Sequence, residues 1–137
     1  MNIPHELVYT SEHEWIRIDQ ESSTDGPTIA VVGITDFAQG ELGDLVYVEV
    51  ETVGENIAKD DVFGTVEAVK TTSDLFMPIS GKVIEFNDEL SESGGDNPAL
   101  INEDPYGAGW IVKIEVEDVA ELEGLLSAEQ YAALIKS

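Results

Sequence analysis

Lys70 is the residue whose type and setting stand out for chemistry, because a lysine amine is a nucleophile once deprotonated and can be acylated. It is one of only six Lys and Arg residues, against 29 Asp and Glu, in a chain of 137. The run Val66-Glu67-Ala68-Val69 precedes it and another apolar run begins near Leu75, so Lys70 falls at the tip of a hairpin. The intervening Thr71-Thr72-Ser73-Asp74 has no glycine and includes stiff β-branched residues, which gives the tip a comparatively rigid base. Pro78 puts the following stretch at a sheet edge or strand end, ahead of a Ser80-Gly81 turn. By residue type alone, Lys70 reads as a solvated lysine balancing nearby acids.

Other reactive constellations are sparse. The two histidines, His5 and His13, have neither zinc-protease nor paired-ligand spacing. His13 sits between Glu12 and Glu14, but adjacent residues of a strand point to opposite faces, so the three are not expected to converge on a metal. With no cysteine, thiol catalysis, disulfides and thiolate metal sites are excluded, and any sulfur chemistry must come from a cofactor. Gly107-Ala108-Gly109 lacks the third glycine and the following helix of a dinucleotide fingerprint, and reads as a turn before a strand from Trp110. No phosphate loop, nucleophile elbow or nucleophile and base pair is visible, so an enzyme acting alone is not expected.

The elements that must position Lys70 are mostly strands. Short apolar runs rich in β-branched residues, separated by frequent turn signals, predict strands over Glu14 to Asp19, Thr28 to Ile34, Leu45 to Val50, Val62 to Val69, Leu75 to Ile79, Lys82 to Phe86 and Trp110 to Val116. The polar segment Gln20 to Pro27 is expected to link the first two as a hairpin loop. Thr35 to Gly40 offers an N-cap and a closing glycine for one or two helical turns, and a second short helix is expected from Asn97 with Pro98 at its first position. Ser127 and Gln130 have capping-box spacing. Ala128, Tyr131, Leu134 and Ile135 then form an apolar stripe for a terminal helix packed on the sheet. The length suits one domain spanning 1–137.

A net charge of −23 argues against nucleic acid and against anionic membranes as partners. The longest nearly unbroken apolar run, Ile29 to Ile34, is far shorter than the roughly 20 residues a membrane span needs. The start MNIPHELVY has neither the basic residues nor the apolar stretch of a secretory signal, so a cytoplasmic location is expected. Acids spread along the chain repel one another less as salt shortens the Debye length, which predicts a salt-rich cytosol.

The stretch VEAVKTTSDLFMPISG, Val66 to Gly81, closely resembles the lipoyl-attachment segment of the glycine cleavage system H proteins, in which the lysine after Glu-x-Val carries lipoate. Segments similar to the same family follow its order along nearly the whole chain: SEHEWIRI from Ser11, VVGITDFAQGELGDLVYVEV from Val31, NPALIN from Asn97 and PYGAGW from Pro105. The shorter lipoyl domains of 2-oxoacid dehydrogenases share only the lysine hairpin, and biotin carriers typically flank their lysine with methionines, where this chain has Val69 and Thr71.

The resemblance implies a mainly β fold, an antiparallel barrel-sandwich hybrid of lipoyl-domain type with short helices and a C-terminal helix. It implies a non-catalytic carrier. A lipoate-attaching enzyme acylates Lys70, and the arm then shuttles the aminomethyl group of glycine from a pyridoxal-phosphate glycine decarboxylase to a folate-dependent aminomethyltransferase. A dihydrolipoamide dehydrogenase reoxidises it. Glu67, Val69, Asp74 and Gly81 are the residues expected to be read by the attaching enzyme, the glycine by permitting a tight turn. Glu14 and Asp74, with Glu12, are expected to hold the amine in a cleft. The chain departs from the family at Phe37, where histidine is common, and in the longer loop at Gln20 to Pro27. A lipoate relay to other carrier proteins and an unmodified acidic binding module are the alternative functions.

Overall fold

Two antiparallel sheets pack face to face because their strands bury alternate side chains between them. The computed structural model describes residues 3–20, 28–91 and 94–136. One sheet contains β1 (Val8–Tyr9), β2 (Glu14–Gln20), β3 (Ile29–Ile34), β5 (Asn56–Ile57), β8 (Gly81–Phe86) and β9 (Val112–Val116), in the order β1-β2-β3-β9-β8-β5. The other contains β4 (Leu45–Glu49), β6 (Val62–Ala68) and β7 (Thr72–Phe76), in the order β4-β6-β7, which leaves β7 as an edge. The main core lies between them, with Ile16, Val32, Ile34, Phe63, Val66, Leu75, Val83 and Ile114 among its buried residues. The chain thus adopts the expected mainly β sandwich with short helices and a terminal helix, and its described residues form no closed barrel.

β3 reads as an unbroken apolar run because both its faces are covered. Ala30, Val32 and Ile34 enter the main core. Val31 joins a second cluster with Leu7, Tyr9, Trp15, Ala128 and Tyr131 beneath α3 (Ala128–Lys136). The capping box of α3 forms as expected: the Gln130 N–H donates to Ser127 Oγ at 3.2 Å and the Ser127 N–H to Gln130 Oε1 at 2.9 Å. Its stripe is narrower than expected, since Leu134 remains 40% exposed while Ala128 and Tyr131 are buried. Backbone hydrogen bonds of 2.8 Å in both directions between Tyr9 and Leu126 fasten the segment before α3 to β1.

Several boundaries differ from expectation. α1 (Asp36–Leu42) starts at the Thr35 cap but runs through Gly40 and closes at Gly43, whose φ of 83° suits glycine and whose N–H reaches the Gln39 carbonyl. In α2 (Ala99–Glu103), Pro98 is the cap rather than the first helical residue. The last large strand starts at Val112, not Trp110, because residues 105–109 make the turn that Gly107-Ala108-Gly109 suggested. Two short strands, β1 and β5, and a 3-10 helix over Val119–Gly124 carry too little periodicity to read from sequence. β2 and β3 pair as the expected hairpin, while residues 21–27 of its connection lie outside the described residues.

Gly33 of β3 stands opposite Trp15, and an added Cβ would lie 2.7 Å from the indole ring. The ring cannot retreat easily, since Trp15 is fully buried and its Nε1–H donates to the Pro105 carbonyl at 2.9 Å. Gly33→Ala is therefore expected to destabilise the fold by about 1–3 kcal/mol through overpacking, measurable by urea unfolding. An unchanged unfolding midpoint would show that the indole moves aside freely.

Candidate functional site

Lys70 is presented by a two-residue turn. The Ala68 N–H donates to the Thr71 carbonyl at 2.7 Å, leaving Val69 and Lys70 at the tip, both exposed. The strand after the tip begins at Thr72, not near Leu75: Glu67 pairs with Thr72, Val66 with Ser73 and Thr65 with Asp74. The residues Thr71 to Asp74 look like a loop because they are polar, but polar side chains suit an edge strand, and β-branched threonine favours it. The Val69 N–H also donates to the Asp44 carbonyl at 3.1 Å, tying the turn to the residue preceding β4. Val69 and Lys70 avoid left-handed backbone, so the lysine stands on an unstrained base.

Glu67, Val69 and Asp74 are exposed on this hairpin. Gly81 is not brought to the same surface. It is buried in β8 of the other sheet, where a Cβ would lie 2.6 Å from the Glu115 carbonyl oxygen. There it serves close approach of β8 to β9 rather than a tight turn.

Beside the hairpin lies a cleft of about 350 Å³. Val66, Ser73, Asp74 and Leu75 form one wall. Phe37, Ala38, Glu41 and Leu42 of α1 form another, with Ile34, Glu12, His13 and Glu14 completing it. The three residues expected to share a cleft, Glu12, Glu14 and Asp74, do line one cavity, and His13 joins them against expectation. Strand alternation does not apply at His13, because β2 begins only at Glu14 and His13 has left-handed backbone, φ 69°. Its N–H donates to the Thr10 carbonyl at 3.1 Å and its carbonyl accepts from the Thr35 N–H at 3.0 Å, which holds that conformation. Among the described residues, no group of three His, Cys, Asp or Glu side chains is arranged to hold a metal ion. The helix wall was also legible in principle: Phe37 and Glu41, like Ala38 and Leu42, stand four apart and share a helix face.

Glu14 is only 2% exposed. Its Oε2 accepts from the Phe76 N–H of β7 at 2.8 Å, and the Thr10 hydroxyl lies 3.4 Å from Oε1. Burial pushes the carboxyl up to about 8, helped by the charges of Glu12 and Asp60 and opposed by the Phe76 and Thr10 hydrogen bonds. The group is thus mostly neutral at pH 7. His13 moves the other way: burial lowers its pKa, against the pull of Glu12 and Glu41, so the imidazole is neutral too. Its ring packs 4.9 Å from that of Phe37, centroid to centroid.

Because the folded-state pKa of Glu14 lies above its ordinary 4.5, the stability it contributes is complete below about pH 4.5 and is lost as pH rises through about 8. Glu14→Gln keeps an oxygen for the Phe76 N–H and removes the ionisation. From pH 5 to 9 the variant is expected to gain on the parent by on the order of 4 kcal/mol, read from urea unfolding at each pH. Parallel pH profiles for the two proteins would mean that Glu14 ionises like an exposed carboxyl.

With this geometry in view, similar proteins identify the family. The family model described as "Glycine cleavage H-protein" matches residues 7–137. A glycine cleavage system H protein of Chlorobaculum parvum is 53% identical over 135 residues, 98% of each chain, and one of Bacteroides thetaiotaomicron is 49% identical over the same length and shares. The crystal structure of a glycine cleavage system H protein from Mycobacterium marinum superimposes with a TM-score of 0.83 at 41% identity, covering 98% of this chain and all of that one. A match of this extent, carried by the sequence and by the fold alike, makes the chain a member of the glycine cleavage H-protein family.

Proposed function

We propose that the chain is the lipoyl carrier of a glycine cleavage system and performs no chemistry of its own, with lipoate in amide linkage to Lys70. The observation that carries this reading is an exposed lysine on an unstrained two-residue turn, whose own strand continues into a cleft from Ser73 onward. Asp74 lies four residues beyond Lys70, at most about 13 Å along the strand. A lysine stem with a lipoyl chain spans roughly 12 Å at about 3.8 Å for every three bonds, so the cleft is within its reach.

The cleft suits such a group in composition. Ile34, Phe37, Leu42, Val66 and Leu75 offer apolar surface for a hydrocarbon chain, and Glu12, Glu14 and Asp74 offer carboxyls for an aminium. Lipoate supplies, when bound, a dithiol and disulfide couple that accepts and hands on an aminomethyl group. The protein's part is to tether, shelter and present. Glu14 meets an arriving cation by giving up its proton, since a neighbouring positive charge lowers a carboxyl pKa. Glu67, Val69 and Asp74, exposed on the same hairpin, offer the surface for a lipoate-attaching enzyme. The partners in this reading are a glycine decarboxylase, an aminomethyltransferase and a dihydrolipoamide dehydrogenase. Tethering raises the local concentration of the reactive sulfur at each of them to the millimolar range.

Intact mass with peptide fragmentation, on protein from its native cells, is expected to find one lipoyl adduct, on Lys70. Lys70→Arg is expected to abolish the adduct and to reduce decarboxylase-dependent exchange of labelled bicarbonate to background. Adduct without exchange would point to a relay of lipoate to other carriers. An unmodified Lys70, in cells whose other lipoyl proteins are modified, would point to a binding module.

We also infer a setting rich in salt from the charge of −23. The thermal midpoint is then expected to rise from dilute buffer to molar KCl, where the Debye length falls to about 3 Å. Equal midpoints would overturn that setting.

A further inference from the structure

The histidine on the cleft wall ends a chain of hydrogen bonds that runs in one direction only. The Ala38 N–H donates to Thr35 Oγ1 at 3.2 Å, Thr35 Oγ1 and the Tyr131 hydroxyl are 2.7 Å apart, and that hydroxyl is 2.8 Å from His13 Nδ1. Thr35 is fully buried. Among the described residues, the only acceptor within reach of its hydroxyl proton is the Tyr131 oxygen. Thr35 must therefore donate to Tyr131, and Tyr131 must donate to His13. The reverse order would strand the Thr35 proton in a buried site with no acceptor. His13 Nδ1 is then an acceptor and carries no proton, so the ring proton of the neutral imidazole sits on Nε2.

Tyr131 is a firm anchor for this arrangement. It is fully buried, stacks on Tyr9 with centroids 4.8 Å apart, and burial holds its hydroxyl protonated by pushing the pKa up to about 12. His13, with Nδ1 committed to Tyr131 and one face against Phe37, has only its remaining edge to offer the cleft.

We propose that His13 is a positioning residue of the cleft: its Nε2–H donates to a neutral acceptor of the docked lysine arm, the amide oxygen or a sulfur. The inference rests on the carrier reading of Lys70 and adds a polarity to the site. A donor that carries no charge and no free lone pair on its cleft edge cannot hold an aminium. Cargo is thereby oriented, acceptor atoms toward His13 and the amine toward Glu12, Glu14 and Asp74.

The test uses full-length protein with labelled histidine nitrogens in unmodified, octanoylated and lipoylated, amine-loaded forms, each checked by mass at Lys70. Long-range nitrogen NMR at pH 7 is expected to show the Nε2–H form of His13 in at least about fivefold excess. The Nε2–H resonance is expected to move when the arm is present: with both arms if the acceptor is the amide oxygen, with the lipoyl arm alone if it is sulfur. His13→Gln, which retains a donor, is expected to release the loaded amine at close to the parent rate, and His13→Phe about fivefold faster, the worth of one neutral hydrogen bond. Tyr131→Phe, verified as folded by near-ultraviolet circular dichroism, is expected to reduce the tautomer excess. A predominant Nδ1–H form, or a His13 resonance indifferent to an arm that mass places on Lys70, would overturn the proposal and leave the carrier reading intact. An amine that no lipoylated protein accepts would fail the carrier reading itself, and this proposal with it.

Discussion

The hydrogen bond from the Phe76 N–H to the Glu14 carboxyl crosses from the three-stranded sheet to the six-stranded one, and the site depends on it. β7 is an edge strand, so its outward N–H groups need partners that no neighbouring strand supplies. Glu14 satisfies the one at Phe76 and thereby fixes the lysine hairpin against the start of β2. An apolar residue there would leave that N–H without its partner, and an ordinary exposed carboxylate would not reach. The same side chain forms part of the cleft wall, so the contact that joins the sheets also sets the cleft's chemistry. Gly33 supports it from behind. Without a Cβ at that position, Trp15 lies flat against β3 and keeps the neighbouring Glu14 turned the other way, toward the main core and cleft.

The chemistry of this protein was more legible in its sequence than its geometry. Lys70 could be located at a hairpin tip from the runs on either side of it, and the capping box of α3 followed from spacing alone. Thr72, Ser73 and Asp74 misled because polarity marks both loops and exposed edge strands, and only pairing with β6 distinguishes them. Gly81 misled for a related reason. Glycine before a strand suggests a turn, while the need it meets is set by the Glu115 carbonyl of a strand more than thirty residues away. β1 and β5, at two residues each, exist because of what they lie against and have no pattern of their own.

His13 shows most clearly what sequence could not supply. Between two glutamates it invited a question about metals, and strand alternation answered it. The left-handed backbone that defeats the alternation is imposed by Thr10 and Thr35, and the ring's role is set by Tyr131, 118 residues away. The C-terminal helix therefore does more than cover apolar surface. Through Tyr131 it reaches both the cap of α1 and the cleft histidine, so helix, cleft wall and imidazole form one hydrogen-bonded unit.

A neutral buried acid is a better partner for transient cargo than a permanently ionised one. An ionised carboxylate at the Glu14 position would cost stability in every empty molecule, because its burial opposes the charge. With a pKa of about 8, the neutral form prevails at pH 7 and the empty cleft bears no such charge. Ionising it at pH 7 costs only about 1.4 kcal/mol, one pKa unit. A charge-assisted hydrogen bond returns about 1.5–3 kcal/mol, so in the carrier reading an aminium reaching Glu14 would more than offset the cost, and the small surplus would let the cargo leave again. In the carrier reading that balance is what the site requires, since a stronger grip would shelter the amine and never deliver it.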